Sequence, residues 1–144
     1  MKKGFFFSSG SSTSNVDFAT LILRFAFAGS LLYGHGLSKL NKLISGETIQ
    51  FVDFLGLDVK LTYSMVTFAE FFCAALVVIG LLTRFALVPL IITMAYIVLV
   101  VHGADEFSNK ELPLLYLAAF LAIMLIGPGK HSVDRILSKR KSTV

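Results

Sequence analysis

A chain of 144 residues has room for one domain, and 56% of its residues are hydrophobic against 15% charged. Soluble domains carry about a quarter charged residues, so this chain cannot clothe a water-facing surface, and a mean hydropathy of +0.80 agrees. A scattered net charge of +4 excludes a nucleic-acid surface, and a lone cysteine, Cys73, excludes an internal disulfide or a CxxC pair.

The N-terminus opens with Lys2 and Lys3, but only Phe5, Phe6 and Phe7 follow before Ser8-Ser9-Gly10-Ser11-Ser12 breaks the run. A cleavable signal needs roughly 7–15 apolar residues there, so residues 1–15 are expected to form a flexible cytoplasmic tail. Crossing the hydrocarbon layer takes about 20 apolar residues, fewer where flanking groups snorkel. Four segments qualify, at about 18–37, 61–82, 85–101 and 112–127. They are too long and continuous for strands, and lipid tolerates no open sheet edge. Between the first two, Thr48 to Leu55 sets Ile49, Val52 and Leu55 ahead of Gly56, the pattern of a short interfacial helix. Beyond the fourth, residues 130–144 form a basic segment. There Ser132 is placed to cap a helix, with Asp134 in its first turn and Lys139-Arg140-Lys141 at its end. Val133, Ile136 and Leu137 give that helix one apolar face, suited to an anionic membrane surface. The expected fold is an all-α bundle of four transmembrane helices over residues 16–129, flanked by two tails.

Lys and Arg set the orientation. The side holding both termini and the Thr83-Arg84 turn carries Lys2, Lys3, Arg84, Lys130, Arg135, Lys139, Arg140 and Lys141. The other side has Lys39, Lys42, Lys60 and Lys110 among Glu47, Asp53, Asp58, Asp105, Glu106 and Glu111. Both termini are therefore expected in the cytoplasm.

Five polar residues lie within or at the edges of the spans: Arg24, His35, Glu70, His102 and Glu111. A charge at mid-membrane costs ~2.5–3.5 kcal/mol on insertion scales, so each needs a partner or a function. Arg24 lies about 9 Å from the inner end of its span and Glu70 about 18 Å from the inner end of its own, at 1.5 Å per residue. The two are within reach of an ion pair. The competing readings are Arg24 snorkelling inward and a protonated Glu70 hydrogen-bonded within the bundle. Toward the outside, His35 and Lys39 share a face, His102 ends span three, and Glu111 opens span four just before Pro113. Glu111 and Pro113 suit a first helical turn, which alone could explain both. Arg24 and His35, eleven apart, also share a face and could join the two groups through Glu70.

Histidine with glutamate can handle protons for a lipid-soluble substrate such as a quinone. Haem ligation by His35 and His102, beside Gly34, Gly36 and Gly103, ranks below simple hydrogen bonding. Metal binding lacks a fixed ligand spacing. A satisfied polar cap that locks the bundle weighs as much as any one chemistry.

Beyond these residues the sequence resembles the DoxX family of small bacterial membrane proteins, from about Leu21 to Leu137. Leu23-Arg24 and Tyr33-Gly34-His35-Gly36-Leu37-Ser38-Lys39-Leu40 are similar to the family's LR…HGxxKL pattern. Glu70 followed by Gly80-Leu81-Leu82-Thr83-Arg84 is similar to its E…GLLTR, and Gly127-Pro128-Gly129-Lys130-His131-Ser132-Val133-Asp134 to its GPGxxSxD. Two departures stand out. Cys73-Ala74 replaces a frequent Gly-Gly, and Asp58 stands where the family usually has Pro after Leu-Gly-Leu.

The resemblance implies a four-helix protein of the bacterial inner membrane. Its relatives include a subunit of thiosulfate:quinone oxidoreductase and proteins linked to quinone or thiol-oxidant stress. The leading expectation is a redox-associated subunit that binds a quinone-like molecule near the outer face. Arg24, His35, Lys39, Glu70, His102 and Glu111 are its candidate ligand-binding or proton-handling residues, with no catalytic residue assigned. No flavin, nucleotide or iron–sulfur motif occurs, so no intrinsic cofactor is expected and a redox partner subunit would bring the electron carrier. The alternative is a non-catalytic assembly subunit whose polar residues are interhelical locks. A transporter, ranked last, would require a homo-oligomer.

Overall fold

Among the described residues, four helices long and apolar enough to cross a membrane follow one another: α1 (Thr13–Ser45), α2 (Val59–Ile79), α3 (Thr83–Val101) and α4 (Phe107–Ile126). A short fifth, α5 (Val133–Lys141), follows. The computed structural model describes residues 13–51 and 56–141, the side chains of 139–141 excepted, and among them every element is helical. Residues 1–12, most of the expected tail, lie outside the described residues. Each of the four spans packs on its neighbour in sequence, and α4 closes the ring against α1.

Local signals explain the ends. Asp58, where the resemblance leads one to expect Pro, caps α2: its carboxylate accepts from the Lys60 and Leu61 N–H groups at 3.0 and 3.2 Å. Gly46 and Gly80 end α1 and α2 in the left-handed conformation, at φ +71° and +74°. Phe18, Phe25, Phe85 and Leu125 face outward, as lipid-facing side chains do. With apolar residues on both faces, the bundle gains little from hydrophobic burial and depends on close packing and hydrogen bonds. Ala28, Ala69 and Ala74 let backbones approach, beneath Leu87, Leu90, Phe120 and Ile123. Gly36 marks the tightest point, since an added Cβ would strike the Glu70 carbonyl oxygen across the α1–α2 contact.

Four π-helical turns interrupt the spans: Arg24–Ala28 and Leu32–Gly36 in α1, Phe68–Cys73 in α2 and Ile97–Val101 in α3. In the last, the His102 N–H reaches the Ile97 carbonyl, five residues back, at 2.9 Å. Such turns insert a residue into the helical repeat and cluster at functional sites. Two of them span the interval from Arg24 to His35, so an eleven-residue spacing no longer sets these side chains on one face. Arg24 is buried and His35 exposed.

Two other expectations are corrected. Residues 48–51 are not helical, and 52–55 lie outside the described residues. The chain that was expected to fold there leaves a longer α1 at Gly46, and Phe51 packs edge-on against Tyr63 instead, with ring centroids 5.3 Å apart. Helix α4 begins at Phe107, so Glu111 is not at its start and Pro113 sits inside it. Lys110 holds the entry to this helix from within it, donating to the Gly103 carbonyl at 2.8 Å.

Candidate functional site

The six candidate residues do not gather at one place. At the end of the bundle that holds both chain termini, Arg24 is 1% exposed. Its Nε donates to Val77 O at 2.8 Å and its Nη2 to Val78 O at 2.7 Å. Its Nη1 donates to Pro128 O and His131 O, both at 2.9 Å. Last-turn carbonyls of a helix have no intrahelical partner and carry the negative end of its dipole. A planar guanidinium satisfies two of them on α2 and still reaches the segment beyond α4. Arg24 therefore does not pair with Glu70, and the expected ion pair is overturned. Carbonyl groups nearer in the fold take the donors that the carboxylate was expected to take.

The same end is tied a second time. The Asp134 N–H donates to Gly80 O at 2.8 Å. One oxygen of its carboxylate accepts from the Leu82 N–H at 2.8 Å, the other from the Thr83 N–H and Oγ1 at 3.0 and 2.8 Å. Asp134 thus caps α3 from another helix, and it holds Leu82 in a left-handed conformation, φ +48°, that costs a non-glycine residue about 1–2 kcal/mol. Burial pushes the Asp134 carboxyl up, but hydrogen bonds from Thr83 and Leu82 and the charge of Arg24 hold it below the usual carboxylate range. Ser132 caps α5 as expected, accepting from the Arg135 N–H at 3.3 Å. Asp17 closes the seam, accepting from the Lys130 N–H at 3.0 Å and pairing with its Nζ at 3.1 Å. The segments Leu23-Arg24, Gly80–Arg84 and Gly127–Asp134 thereby meet in one structural knot.

Toward the opposite, loop-bearing end, Lys39 donates to Glu70 Oε2 in direct contact, with the side chains 19% and 2% exposed. Lys39 Nζ also stands 5.7 Å from the centre of the Phe51 ring. A buried pair of this kind gains little net stability from its Coulomb energy, yet either partner left alone would be an uncompensated buried charge. His102 lies apart from it, its Nδ1 2.7 Å from Asp105 Oδ2, a contact that holds the Asp105 carboxyl below its usual range. His35 and Glu111 are exposed. Among the described residues neither forms a hydrogen bond or ion pair with Glu70, and no three His, Cys, Asp or Glu side chains converge to hold a metal. Among the described residues His35, His102 and Glu111 share no hydrogen bond or ion pair with one another.

Beside the Lys39–Glu70 pair lies a groove of about 550 Å³ between the loop-end halves of α2 and α3. Met65, Phe68, Ile92 and Ile97 give it apolar walls, Ala69 and Pro89 leave it room, and Thr62, Thr93 and Tyr96 bring hydroxyl groups. Two of its lining residues touch the charged pair's surroundings: Ala69 is the neighbour of Glu70, and Phe51 is the ring against Lys39. The sequence reading passes over Phe51, Thr62 and Tyr96. Only the hydroxyl of a tyrosine inside an apolar run would have signalled it, since such a group needs a partner or a ligand.

A family model described as DoxX matches residues 19–103, more than half of the chain. The matched stretch includes Arg24, His35, Lys39, Glu70 and His102 and stops short of Glu111 and the 127–134 segment. No curated protein and no solved structure matches the chain. With four membrane-crossing helices and a family match that runs from the first of them through the third, this chain belongs to the DoxX family of multi-pass membrane proteins.

Proposed function

We propose that this protein is a redox-associated subunit of the bacterial inner membrane that binds a quinone-like molecule in the α2–α3 groove. Its termini lie in the cytoplasm and the groove toward the outer face, because the basic residues gather at the terminal end. One observation carries the reading: an apolar groove of about 550 Å³, at a helix pair with lipid around it, is lined by Phe51 and Ala69, the one against Lys39 and the other next to Glu70 in the chain, whose ammonium and carboxylate form a buried pair. A quinone has a flat conjugated head with two acceptor carbonyls and an apolar tail. Lys39 offers a charged donor to such a carbonyl, and Tyr96 and Thr62 place hydroxyls along the groove. The Lys39 ammonium can pass a proton to a quinone oxygen as electrons arrive from a partner subunit and regain one from water, with the Glu70 carboxylate favouring its return; the electrons come from the partner because the chain carries no cofactor motif of its own. Arg24 belongs to the knot at the other end and has no part in this site.

The test is extraction and mass spectrometry of the lipid-soluble molecules that remain on protein purified in mild detergent, followed by quinone titration in nanodiscs. Ala69→Phe fills the groove beside Glu70, and binding is expected to fall at least about tenfold, or ~1.4 kcal/mol. Arg24→Lys is expected to leave affinity unchanged in whatever protein folds. Native affinity in both Ala69→Phe and a Lys39→Met, Glu70→Leu double variant would defeat the proposal. The second reading, a non-catalytic assembly subunit, draws on the Arg24 knot, where motif residues are spent on structure. It is favoured if a soluble partner co-purifies equally with the native protein and with the groove variants.

A further inference from the structure

We infer that α5 and the Lys130 segment form a binding surface for anionic phospholipid, in which Arg135 meets the headgroup while Ile136 and Leu137 enter the acyl layer. The inference is independent of the quinone proposal. It begins with rigidity. The first turn of α5 cannot swing away from the bundle, because Asp134 is bonded to Gly80, Leu82 and Thr83, and Arg24 holds the His131 carbonyl. Gly80 permits this docking, since an added Cβ would lie 2.6 Å from both Arg24 Nη2 and Ser132 Cβ. The helix is therefore fixed at the level of the α2–α3 turn. There Leu82 is 55% exposed and Phe85 79% exposed, an apolar collar that marks where hydrocarbon reaches.

Helix α5 carries its own apolar arc to that level. Val133, Ile136 and Leu137 fall within about 100° of the helical wheel. Val133 turns partly inward, while Ile136 and Leu137 remain 63% and 45% exposed. Helices of this build lie in the membrane interface with the apolar side down. The charges beside this arc that are not engaged within the bundle are basic. Arg135 and Ser138 are exposed beside a shallow cleft of about 470 Å³ that Thr13 and Lys130 also line. The two acids in the cleft are already engaged, Asp17 by Lys130 and Asp134 by the α3 cap. In this cleft Arg135 is left as a cation without a carboxylate ion pair, and the sequence continues into Lys139-Arg140-Lys141. A phosphodiester attached to acyl chains matches both halves of the surface at once. A soluble acidic partner would match only the charged half.

The experiment uses the full chain in nanodiscs of phosphatidylcholine and phosphatidylglycerol in equal parts, with the lipid retained by the protein counted by native mass spectrometry. The ratio of retained phosphatidylglycerol to phosphatidylcholine is expected to exceed that of the bulk, and Arg135→Gln to lower this ratio about fivefold, the equivalent of ~1 kcal/mol for one basic residue near a charged surface. Position is read separately, in a Cys73→Ala background, from fluorophores placed at Ile136→Cys or Ser138→Cys and quenched from the acyl chains. The label at position 136 is expected to be quenched more. Far-UV circular dichroism confirms that each variant folds. Bulk lipid composition on the native protein, undiminished enrichment in Arg135→Gln, or equal quenching at both positions would overturn the inference. Displacement of the lipid by soluble glycerol phosphate would do so as well, since the acyl half would then contribute nothing.

Discussion

Arg24→Ala should be among the most destabilising substitutions in this chain, and the knot explains by how much. The native side chain donates four hydrogen bonds, to Val77, Val78, Pro128 and His131, from a site 1% exposed. Interhelical hydrogen bonds within membranes average ~0.6 kcal/mol each, so four set a lower bound of roughly 2.5 kcal/mol. Bonds from charged donors run from ~1.5 kcal/mol upward, which raises the figure toward roughly 6 kcal/mol. A loss of about 3–5 kcal/mol is expected, together with looser docking of α5. Arg24→Lys should recover part of this loss only, because one ammonium cannot reach the four carbonyls that the planar guanidinium meets around its edge. Unfolding in dodecyl sulfate mixed micelles, followed by far-UV circular dichroism, measures it. A double-mutant cycle with Glu70→Ala adds the decisive comparison. Separate sites should add to within about 0.5 kcal/mol. A cost for Arg24→Ala below about 1 kcal/mol, or a strong coupling to Glu70, would refute the carbonyl knot and restore the ion pair.

Lys39→Ala or Glu70→Ala alone should destabilise by about 3–5 kcal/mol, whereas Lys39→Met with Glu70→Leu should cost much less, because the pair then leaves no lone buried charge; the same micelle assay checks this. Gly80→Ala forces a φ of +74° on alanine and sets its Cβ against the Arg24 guanidinium, so it should unfold at clearly lower detergent than Gly46→Ala, whose added Cβ meets nothing within 4 Å. Asp134 gives a pH signature. Its folded-state pKa lies below the ordinary value of about 3.9, so its contribution is complete above that value and is lost as pH falls through the lower folded one. Unfolding measured against pH should show the native protein losing its advantage over Asp134→Asn only in that acid range. An advantage already lost between pH 5 and 7 would contradict the assigned hydrogen bonds.

The helices were legible because lipid leaves few options: long apolar runs must pair their backbone groups internally. Asp58, Gly46 and Gly80 announced helix ends by chemistry that acts within a few residues. Ser132 is a similar case, and its cap bond to Arg135 forms as read. Partner choice among the buried polar groups was not legible in the same way. Arg24 could be recognised as needing acceptors, but not which ones, since Pro128 and His131 lie more than a hundred residues away along the chain. Pairing it with Glu70 by reach also presumes regular α-helical spacing. The π-helical turns at Arg24, His35 and Glu70 break that assumption.

Composition and hydropathy determined, without a structure, that this is an all-α membrane protein with four spans, and the order of its motifs pointed to the DoxX family. These properties follow from local apolarity and chain length, which any folded arrangement must respect. Tertiary structure alone decided that Lys39 and not Arg24 meets Glu70, that Asp134 caps α3 as well as sitting in the first turn of α5, and that a groove opens beside the charged pair. Each of these depends on which backbone carbonyls and helix faces lie within about 3 Å of a donor once the helices have packed. That distance is set by the close approach at Gly36 and by the turns at Gly80 and Gly127, not by spacing along the chain.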